Sequence, residues 1–140
     1  MPSILHISEA VALGIHACAI IAGGKEKWST PDLAKKFQAS AAHLSKVMRR
    51  LVVAGILKSV SGPNGGFALA KTPNEISLLD VYEAIDGQFP NVACIFEKPI
   101  CNFSPCILKN FIVEENERAW KYFSTTTLEN ITKQQEEIEL

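Results

Sequence analysis

The feature that most constrains this fold is a pair of short helical segments, separated by three residues and followed by a glycine-rich turn. The first helix opens in "STPDLAKKF", where Ser29 with Asp32 fits a capping box, or Thr30 caps a helix with Pro31 at its first position. The short turn "QAS" (38–40) then leads into the second segment. Two helices joined so closely predict a helix–turn–helix.

The second segment is predicted to be a helix over residues 41–54, which Ser40 caps and Gly55 ends. Its apolar residues recur at helical spacing on one face, which indicates contact with a core. They are Leu44, Val47, Met48, Leu51 and Val52. The opposite face carries a basic stripe of His43, Lys46, Arg49 and Arg50.

A β-hairpin is predicted directly after this helix. The segments "ILKSV" (56–60) and "FALAK" (67–71) have strand character, and "SGPNGG" (61–66) between them holds the residues that turns require. A helix–turn–helix followed by such a hairpin is a winged helix–turn–helix, in which the second helix enters the major groove of DNA and the hairpin is the wing.

We expect the basic stripe and the wing to contact DNA. The helix residues placed for base edges and phosphates are Ser40, His43, Lys46, Arg49 and Arg50. The wing adds Lys58, Ser61, Asn64 and the free amides of Gly65 and Gly66. The alternative is that the stripe only solvates an amphipathic helix, since a net charge of −1 gives no global sign of nucleic-acid binding.

Three of the four cysteines lie in "ACIFEKPICNFSPC" (93–106), with C-x6-C-x4-C spacing. The start of the chain lacks the pattern of a signal peptide, and the longest apolar run is too short to span a bilayer. We therefore expect a cytoplasmic protein with reduced thiols, in which a cysteine cluster indicates metal or redox chemistry. Thiolates suit iron–sulfur clusters, whereas the absence of a C-x-x-C pair disfavours structural zinc.

Three thiolates leave one ligand position of a metal centre unfilled, and the candidates for it are His6, Glu9 and His16. Two other interpretations of the cysteines stay open: buried small hydrophobes, or a reversible disulfide. Cys18 lies inside an apolar helix predicted over 7–22 and is interpreted as a core residue. On the same helix, His16 is interpreted as a satisfied buried or interface histidine in preference to a ligand.

The chain after the wing is predicted to be mostly helical. "SLLDVYEAIDG" predicts a helix opened by a capping box of Ser77 and Asp80. An irregular loop over 90–105 is followed by a long helix from Ile107 to about residue 124. A further short helix follows "TTTLENI", and the charged end "KQQEEIEL" is expected to fray. The fold class is thus mainly α with a small β-hairpin wing.

These motifs resemble the Rrf-two (Rrf2) family of winged-helix regulators, which includes IscR, NsrR and CymR. The resemblance rests on "HLSKVMRRLVVAGILKSVSGPNGGFALAK", with Gly62, Gly65 and Gly66, and on "ISLLDVYEAIDG". "ENERAWKYFSTTTLENI" is similar to the family's dimer helix and the segment after it. The resemblance covers nearly the whole chain and is loosest at the start, where "HISEAVALGIH" replaces a basic and aromatic opening.

The resemblance implies a homodimeric transcription regulator of the bacterial cytoplasm that binds a palindromic operator on double-stranded DNA. It implies a DNA-binding domain over 1–87 whose first helix also packs on the partner, a sensor loop over 88–106, and a dimerisation helix and tail over 107–140. It gives no reason to expect a small-molecule substrate or a membrane. Nothing in the sequence indicates an enzyme, since the wing's "GPNGG" is followed by Phe67 and is not a phosphate-binding loop.

The resemblance also implies that Cys94, Cys101 and Cys106 hold an iron–sulfur cluster of the 2Fe–2S or 4Fe–4S type. The chain departs from better-known members in two respects: no histidine directly follows Cys106, and the first two cysteines are slightly further apart. The alternative is a regulator of the same fold without a cluster, which senses by thiol oxidation or through a partner protein or metabolite.

Overall fold

The computed structural model describes residues 5–24, 27–96, 98 and 100–139. Within these residues it shows helices, one antiparallel hairpin and a 3-10 turn at Pro73–Glu75. The elements are α1 (Glu9–Gly23), α2 (Thr30–Phe37), α3 (Ala41–Val53), β1 (Leu57–Val60), β2 (Gly66–Leu69), α4 (Leu78–Asp86), α5 (Phe111–Thr125) and α6 (Leu128–Glu139). The order of α2, α3 and the hairpin confirms the predicted winged helix–turn–helix.

The helix starts follow the predicted caps. Ser29 caps α2, because its Oγ accepts a hydrogen bond from the Asp32 amide at 3.3 Å, and Thr30 is the first helical residue. Ser40 caps α3 by accepting from the His43 amide at 3.3 Å. Each cap satisfies one of the amides that a helix leaves unpaired at its N-terminus, so short polar residues determine where these helices begin.

The wing is a two-stranded antiparallel ladder that pairs Leu57 with Leu69 and Val60 with Gly66. The backbone of Trp28, just before α2, adds a third partner: its carbonyl accepts a hydrogen bond from the Phe67 amide at 2.9 Å. Gly66 has a φ of 153°, and a Cβ there would lie 2.6 Å from the Trp28 carbonyl oxygen. Glycine therefore allows the wing to lie close against the start of the helix–turn–helix.

One hydrophobic core takes side chains from all the described helices. Those with the least exposure include Val11, Leu33, Leu44, Met48, Leu51, Val81 and Leu128. The predicted apolar face of α3 is confirmed, since all of its residues except the half-buried Val52 are buried. Cys18 is fully buried in α1, as expected, and burial raises the pKa of its thiol to about 12.

The C-terminal third differs from the sequence-based expectation. Residues 107–110 form a turn, in which Lys109 and Asn110 have positive φ angles of 50° and 66°, so the long helix begins at Phe111 and not at Ile107. The expected short helix and frayed end are instead one helix, α6, that continues to Glu139. The start of α6 is held by tertiary contacts, because Leu128 is fully buried and its amide donates to the Ile76 carbonyl at 2.9 Å.

Of the helices described, none combines the length and the apolarity that a bilayer crossing requires.

Candidate nucleic-acid interface and cysteine loop

The free face of α3 carries most of the predicted DNA-contacting side chains. His43, Lys46 and Arg49 are exposed, and none of the three side chains forms a hydrogen bond or ion pair within the described part of the chain. Ser40, at the start of the same helix, is exposed, and its hydroxyl accepts the capping hydrogen bond from the His43 amide. Since Leu44, Val47, Met48 and Leu51 of the apolar face are buried, the basic face is held outward and is available to a ligand outside the monomer.

Arg50 makes a contact that the sequence did not show. Its Nη1 donates a hydrogen bond to the Ile85 carbonyl at 2.7 Å, in the last turn of α4. The last carbonyls of a helix lack intrahelical partners and carry partial negative charge, so a guanidinium there is stabilising. Arg50 therefore links α3 to α4, and a groove of about 480 Å³ lies beside it, lined also by Lys46, Arg49 and Val53.

The wing presents Lys58, Ser61 and Asn64 as exposed side chains. The prediction of a free amide at Gly65 is wrong, because this amide donates to the Gly62 carbonyl at 2.9 Å and closes the turn. Gly66 is a residue of strand β2 and packs against Trp28. The two glycines thus shape the wing, and the side chains at its edge are the groups left available to contact DNA.

The cysteine loop joins α4 to α5 and is largely exposed. Cys94 is half-buried, whereas Cys101 and Cys106 are exposed, and all three are free thiols. The amide of Phe96 donates to the Cys94 Sγ and the amide of Leu108 donates to the Cys106 Sγ, each at 3.4 Å. Amide donors of this kind stabilise negative charge on sulfur, whether as thiolate or as a cluster ligand.

The donor chemistry of this loop suits an iron–sulfur cluster, because three thiols lie in one irregular segment. Over residues 5–24, 27–96, 98 and 100–139, however, no three side chains of His, Cys, Asp or Glu are grouped closely enough to hold a metal ion. The loop therefore has the ligand types that a cluster requires. Its cysteines would have to come closer together to bind one.

The candidates for a fourth ligand lie in or near α1. His6 and Glu9 are exposed, and the backbone carbonyl of His6 accepts a hydrogen bond from the Tyr82 hydroxyl at 3.1 Å. His16 is exposed in the monomer, so the buried alternative is wrong and the interface alternative stays a prediction; its Nδ1 donates to the Ala12 carbonyl at 2.6 Å. This leaves Nε2 as the free ring nitrogen of His16.

The first arm of the cysteine loop, residues 88–94, contacts both α4 and α5. Phe89 is buried, with its ring centroid 4.9 Å from that of Tyr82 in α4 and 5.5 Å from that of Phe123 in α5. The Val92 amide donates to the Asn116 Oδ1 at 2.9 Å. These contacts end just before Cys94, and the described residues of the loop beyond that cysteine are exposed.

Comparison with known proteins gives the family. The family model named Rrf2, described as an iron-dependent transcriptional regulator, matches residues 7–134. The chain belongs to the Rrf2 family. It is therefore a transcription regulator with a DNA-binding fold and not an enzyme.

Several relatives support this Rrf2 assignment along most of the chain. The regulator NsrR of Oceanobacillus iheyensis is 32% identical over 110 residues, which cover 76% of this chain and 74% of that protein. The protein rrf2 of Nitratidesulfovibrio vulgaris is 28% identical over 112 residues, which cover 79% and 75%. The match to YffB of Lactococcus lactis is 36% identical and spans 60% of that longer relative.

Solved structures of two regulators share the fold of this Rrf2 chain. CymR, the global cysteine regulator of B. subtilis, superposes with a TM-score of 0.77 at 22% identity, over 92% of this chain and 97% of CymR. IscR of T. potens superposes with a TM-score of 0.73 at 22% identity, over 97% and 92%. At these identities the likeness establishes the winged-helix architecture.

The structure also brings together three lysines that the sequence analysis did not single out. Lys27, Lys35 and Lys36 are exposed, and with Trp28 and Asp32 they line a groove of about 540 Å³. The Lys36 Nζ lies 5.6 Å from the Trp28 ring centroid. The basic pair "KK" in α2 was the available signal, since the first helix of a helix–turn–helix crosses the DNA backbone.

Proposed function

We propose that this Rrf2-family chain binds a palindromic DNA operator as a homodimer, through α3 and the wing of each protomer. The supporting observation is that α3 buries Leu44 and Leu51 completely while His43, Lys46 and Arg49 stay exposed without partners in the described chain. Binding of phosphates by such side chains releases counterions, so the affinity falls steeply with salt. A two-fold protein matches a palindrome because each protomer reads one half-site.

The aromatic surface of α5 supports the dimer. Phe111, Trp120 and Tyr122 are 48%, 51% and 57% exposed, an unusual amount of aromatic surface for one helix of a monomer. The segment resembles the family's dimer helix, and a second copy of α5 is the occupant we propose. Replacement of Trp120 or Tyr122 by Glu is expected to shift the protein to a monomer in sedimentation velocity, while circular dichroism shows the same helix content.

We further propose that Cys94, Cys101 and Cys106 hold an iron–sulfur cluster, with a fourth ligand from His6, Glu9 or His16 of either protomer. The free thiols and the amide donors at two of the sulfurs support this assignment. The family's description as iron-dependent supports it too. When bound, the cluster would supply a redox-active group that links the three thiolates.

The position of the loop suggests how this site controls DNA binding. The loop follows α4, whose last turn is hydrogen-bonded to Arg50 of α3, and it leads into α5. Drawing the cysteines together would order the loop and change the placement of α5 relative to α3, and so the spacing of the two recognition helices. A differential of a few kcal/mol between the two states is enough to change operator occupancy.

Two measurements test the proposal. Fluorescence anisotropy with the DNA upstream of the gene is expected to show specific binding whose salt dependence flattens in the Arg49→Ala protein. Protein purified without oxygen is expected to contain iron and sulfide and to absorb visible light, and Cys94→Ala, Cys101→Ala and Cys106→Ala to lose both. Anaerobic protein without iron, sulfide or visible absorbance would overturn the cluster and leave the DNA-binding proposal intact.

Sensing by thiol oxidation without a cluster is the second candidate. It is supported by the exposure of Cys101 and Cys106 and by the likeness of fold to CymR of Staphylococcus aureus, whose oxidised form has been solved. Two thiols would lose two protons and two electrons to an oxidant and form one disulfide. In iron-free protein, diamide should then change operator affinity, dithiothreitol should restore it, and Cys101→Ser should abolish the response. A metabolite or partner protein that changes affinity in the triple cysteine variant would indicate a third kind of sensor.

A further inference from the structure

Asn116 stands out because it is a buried polar side chain on the face of α5 that packs on the core. It is 6% exposed, and it is the one buried polar residue among the residues that the structure describes. Its neighbours on the same face of α5 are the buried Ile112 and Phe123. An amide buried without a hydrogen bond is costly, so a buried asparagine on an apolar face needs a specific partner.

The partner of Asn116 belongs to the cysteine loop. Its Oδ1 accepts the hydrogen bond from the Val92 amide at 2.9 Å, and Val92 is two residues before Cys94. Two residues span at most about 7 Å of chain, so this bond restricts where the Cys94 sulfur can lie relative to α5. The bond crosses 24 positions of sequence and joins the loop to the helix that the loop leads into.

The other two cysteines have no comparable attachment. Cys101 and Cys106 are exposed, and so are Ile100, directly before Cys101, and Phe103, between the two cysteines, at 64% and 67%. In the described part of the loop, the residues up to Cys94 are therefore held by contacts with α4 and α5, whereas the residues after Cys94 are exposed. Cys94 belongs to the anchored arm, as its half-buried position shows.

We infer that Asn116 is a positioning residue that holds Cys94 against α5, so that chemistry at the cysteines is transmitted to this helix through the Val92–Asn116 hydrogen bond. The transmission to α5 rests on the proposed sensor function, whereas the positioning of Cys94 does not. When the loop closes, Cys101 and Cys106 then move towards a fixed Cys94. The resulting displacement acts on α5 at Asn116.

The first test measures the position of Cys94 without any cluster. The full-length, reduced, iron-free protein is treated with iodoacetamide, and the rate at each cysteine is followed by peptide mass spectrometry. In Asn116→Leu, which keeps the size of the side chain and loses the acceptor, Cys94 is expected to react about fivefold faster, as when a local structure loses one ordinary hydrogen bond. Cys101 and Cys106 serve as internal references and are expected to keep their rates.

Matched variants separate positioning from general stability. Asn116→Asp keeps an acceptor and is expected to restore a slow Cys94 rate, whereas Ile112→Val trims a buried neighbour on the same face of α5 and should leave all rates unchanged. Val92→Pro removes the donor from the loop side without touching α5. If both groups act through one bond, the double variant is no faster than the single ones.

The second test measures transmission. The operator Kd is measured in the two states of the sensor, either iron-loaded and iron-free or reduced and oxidised. The ratio of the two Kd values is then compared between wild type and Asn116→Leu. This ratio is expected to fall at least by half in the variant, while iron content and the affinity of the iron-free form stay the same. A Cys94 rate equal to wild type in both Asn116→Leu and Val92→Pro overturns the positioning role, and an unchanged ratio overturns the transmission. A wild-type ratio of one overturns the sensor function itself, and the alkylation rates then decide the role of Asn116 separately.

Discussion

The recognition helix and the cysteine loop are built in opposite ways. In α3, Leu44 and Leu51 are completely buried and the basic face is exposed, so the core determines the orientation of that face. In the loop, Ile100 and Phe103 are 64% and 67% exposed. The comparison contrasts a helix whose outward face is set by the core with a segment that the core does not hold; we propose that the helix contacts DNA and that the segment binds through its thiols.

The same contrast holds for the cysteines. Cys18 lies in the core of α1, where burial raises the pKa of its thiol, and no ligand or oxidant can reach it without unfolding. Cys101 lies in the open loop. Residue type alone therefore does not identify a sensor thiol, since position in the fold decides whether the sulfur is chemically available.

The largest expected effect is in thiol reactivity. Because the pKa of Cys18 is about 12, its thiolate fraction near neutral pH is roughly a thousandfold below that of an ordinary cysteine. Iodoacetamide at pH 8 is expected to label Cys101 and Cys106 in the native protein and to label Cys18 only after unfolding in urea. Labelling of Cys18 at a rate similar to that of Cys101 in folded protein would contradict the assigned core.

The next largest effect is on stability. Leu51→Ala removes a fully buried side chain from α3 and is expected to lower the free energy of unfolding by about 2–5 kcal/mol. The matched loop variant, Ile100→Ala, is expected to change it by less than about 0.5 kcal/mol, because that side chain is 64% exposed. Urea denaturation of both proteins measures the difference, and comparable losses would mean that the loop is part of the core.

The wing provides a smaller test of tight packing. In Gly66→Ala the added Cβ meets the Trp28 carbonyl, so the free energy of unfolding is expected to fall by about 1–3 kcal/mol. Gly23→Ala is the control, since a Cβ there makes only an ordinary contact of 3.6 Å with Thr132. Thermal melts of the two variants should separate clearly, and equal melting temperatures would argue against the contact between the wing and Trp28.

Replacement of the two neighbouring arginines of α3 is expected to affect different properties, stability for Arg50 and DNA binding for Arg49. Arg50→Ala removes the hydrogen bond to Ile85 and should cost about 1 kcal/mol of stability, because the guanidinium is still largely in water. Arg49→Ala should leave stability unchanged and weaken operator binding, with a salt slope smaller by about 1. Chemical denaturation and anisotropy titrations on the same two proteins measure both properties, and a stability loss in Arg49→Ala would remove the contrast.

The smallest structural effect is expected at a sensor cysteine. Cys101→Ser should change the free energy of unfolding by less than about 0.5 kcal/mol, since the residue is exposed. The same variant should lose the response of DNA affinity to iron or oxidant. A large loss of stability would show that Cys101 packs within the fold, and a retained response would remove it from the sensor.

Local signals predicted the helix–turn–helix well because they act within a few residues. Ser29 and Ser40 cap the helices that their positions indicated, and the apolar spacing of α3 corresponds to its buried face. The start of α5 was predicted four residues too early, because helical periodicity does not register the positive φ angles of Lys109 and Asn110. The expectation of a frayed end in "KQQEEIEL" missed the continuation of α6 to Glu139.

The site divides in the same way. The basic stripe and the cysteines could be read from residue type and spacing, whereas the use of Arg50 at the end of α4 depends on a partner 35 residues away. The closed amide of Gly65 is a local turn bond to Gly62 that residue type alone did not indicate. The DNA-contacting residues, the cluster ligands and the three-part division of the chain stay predictions.

The sequence by itself determined the winged helix–turn–helix, because caps, turn residues and apolar periodicity are local properties of the chain. Only the tertiary structure decided which polar groups are free and which are engaged. Asn116 and Arg50 look like ordinary surface residues in the sequence, yet one is buried against the cysteine loop and the other joins two helices. The physical reason is that a hydrogen bond across distant segments depends on how the whole core packs.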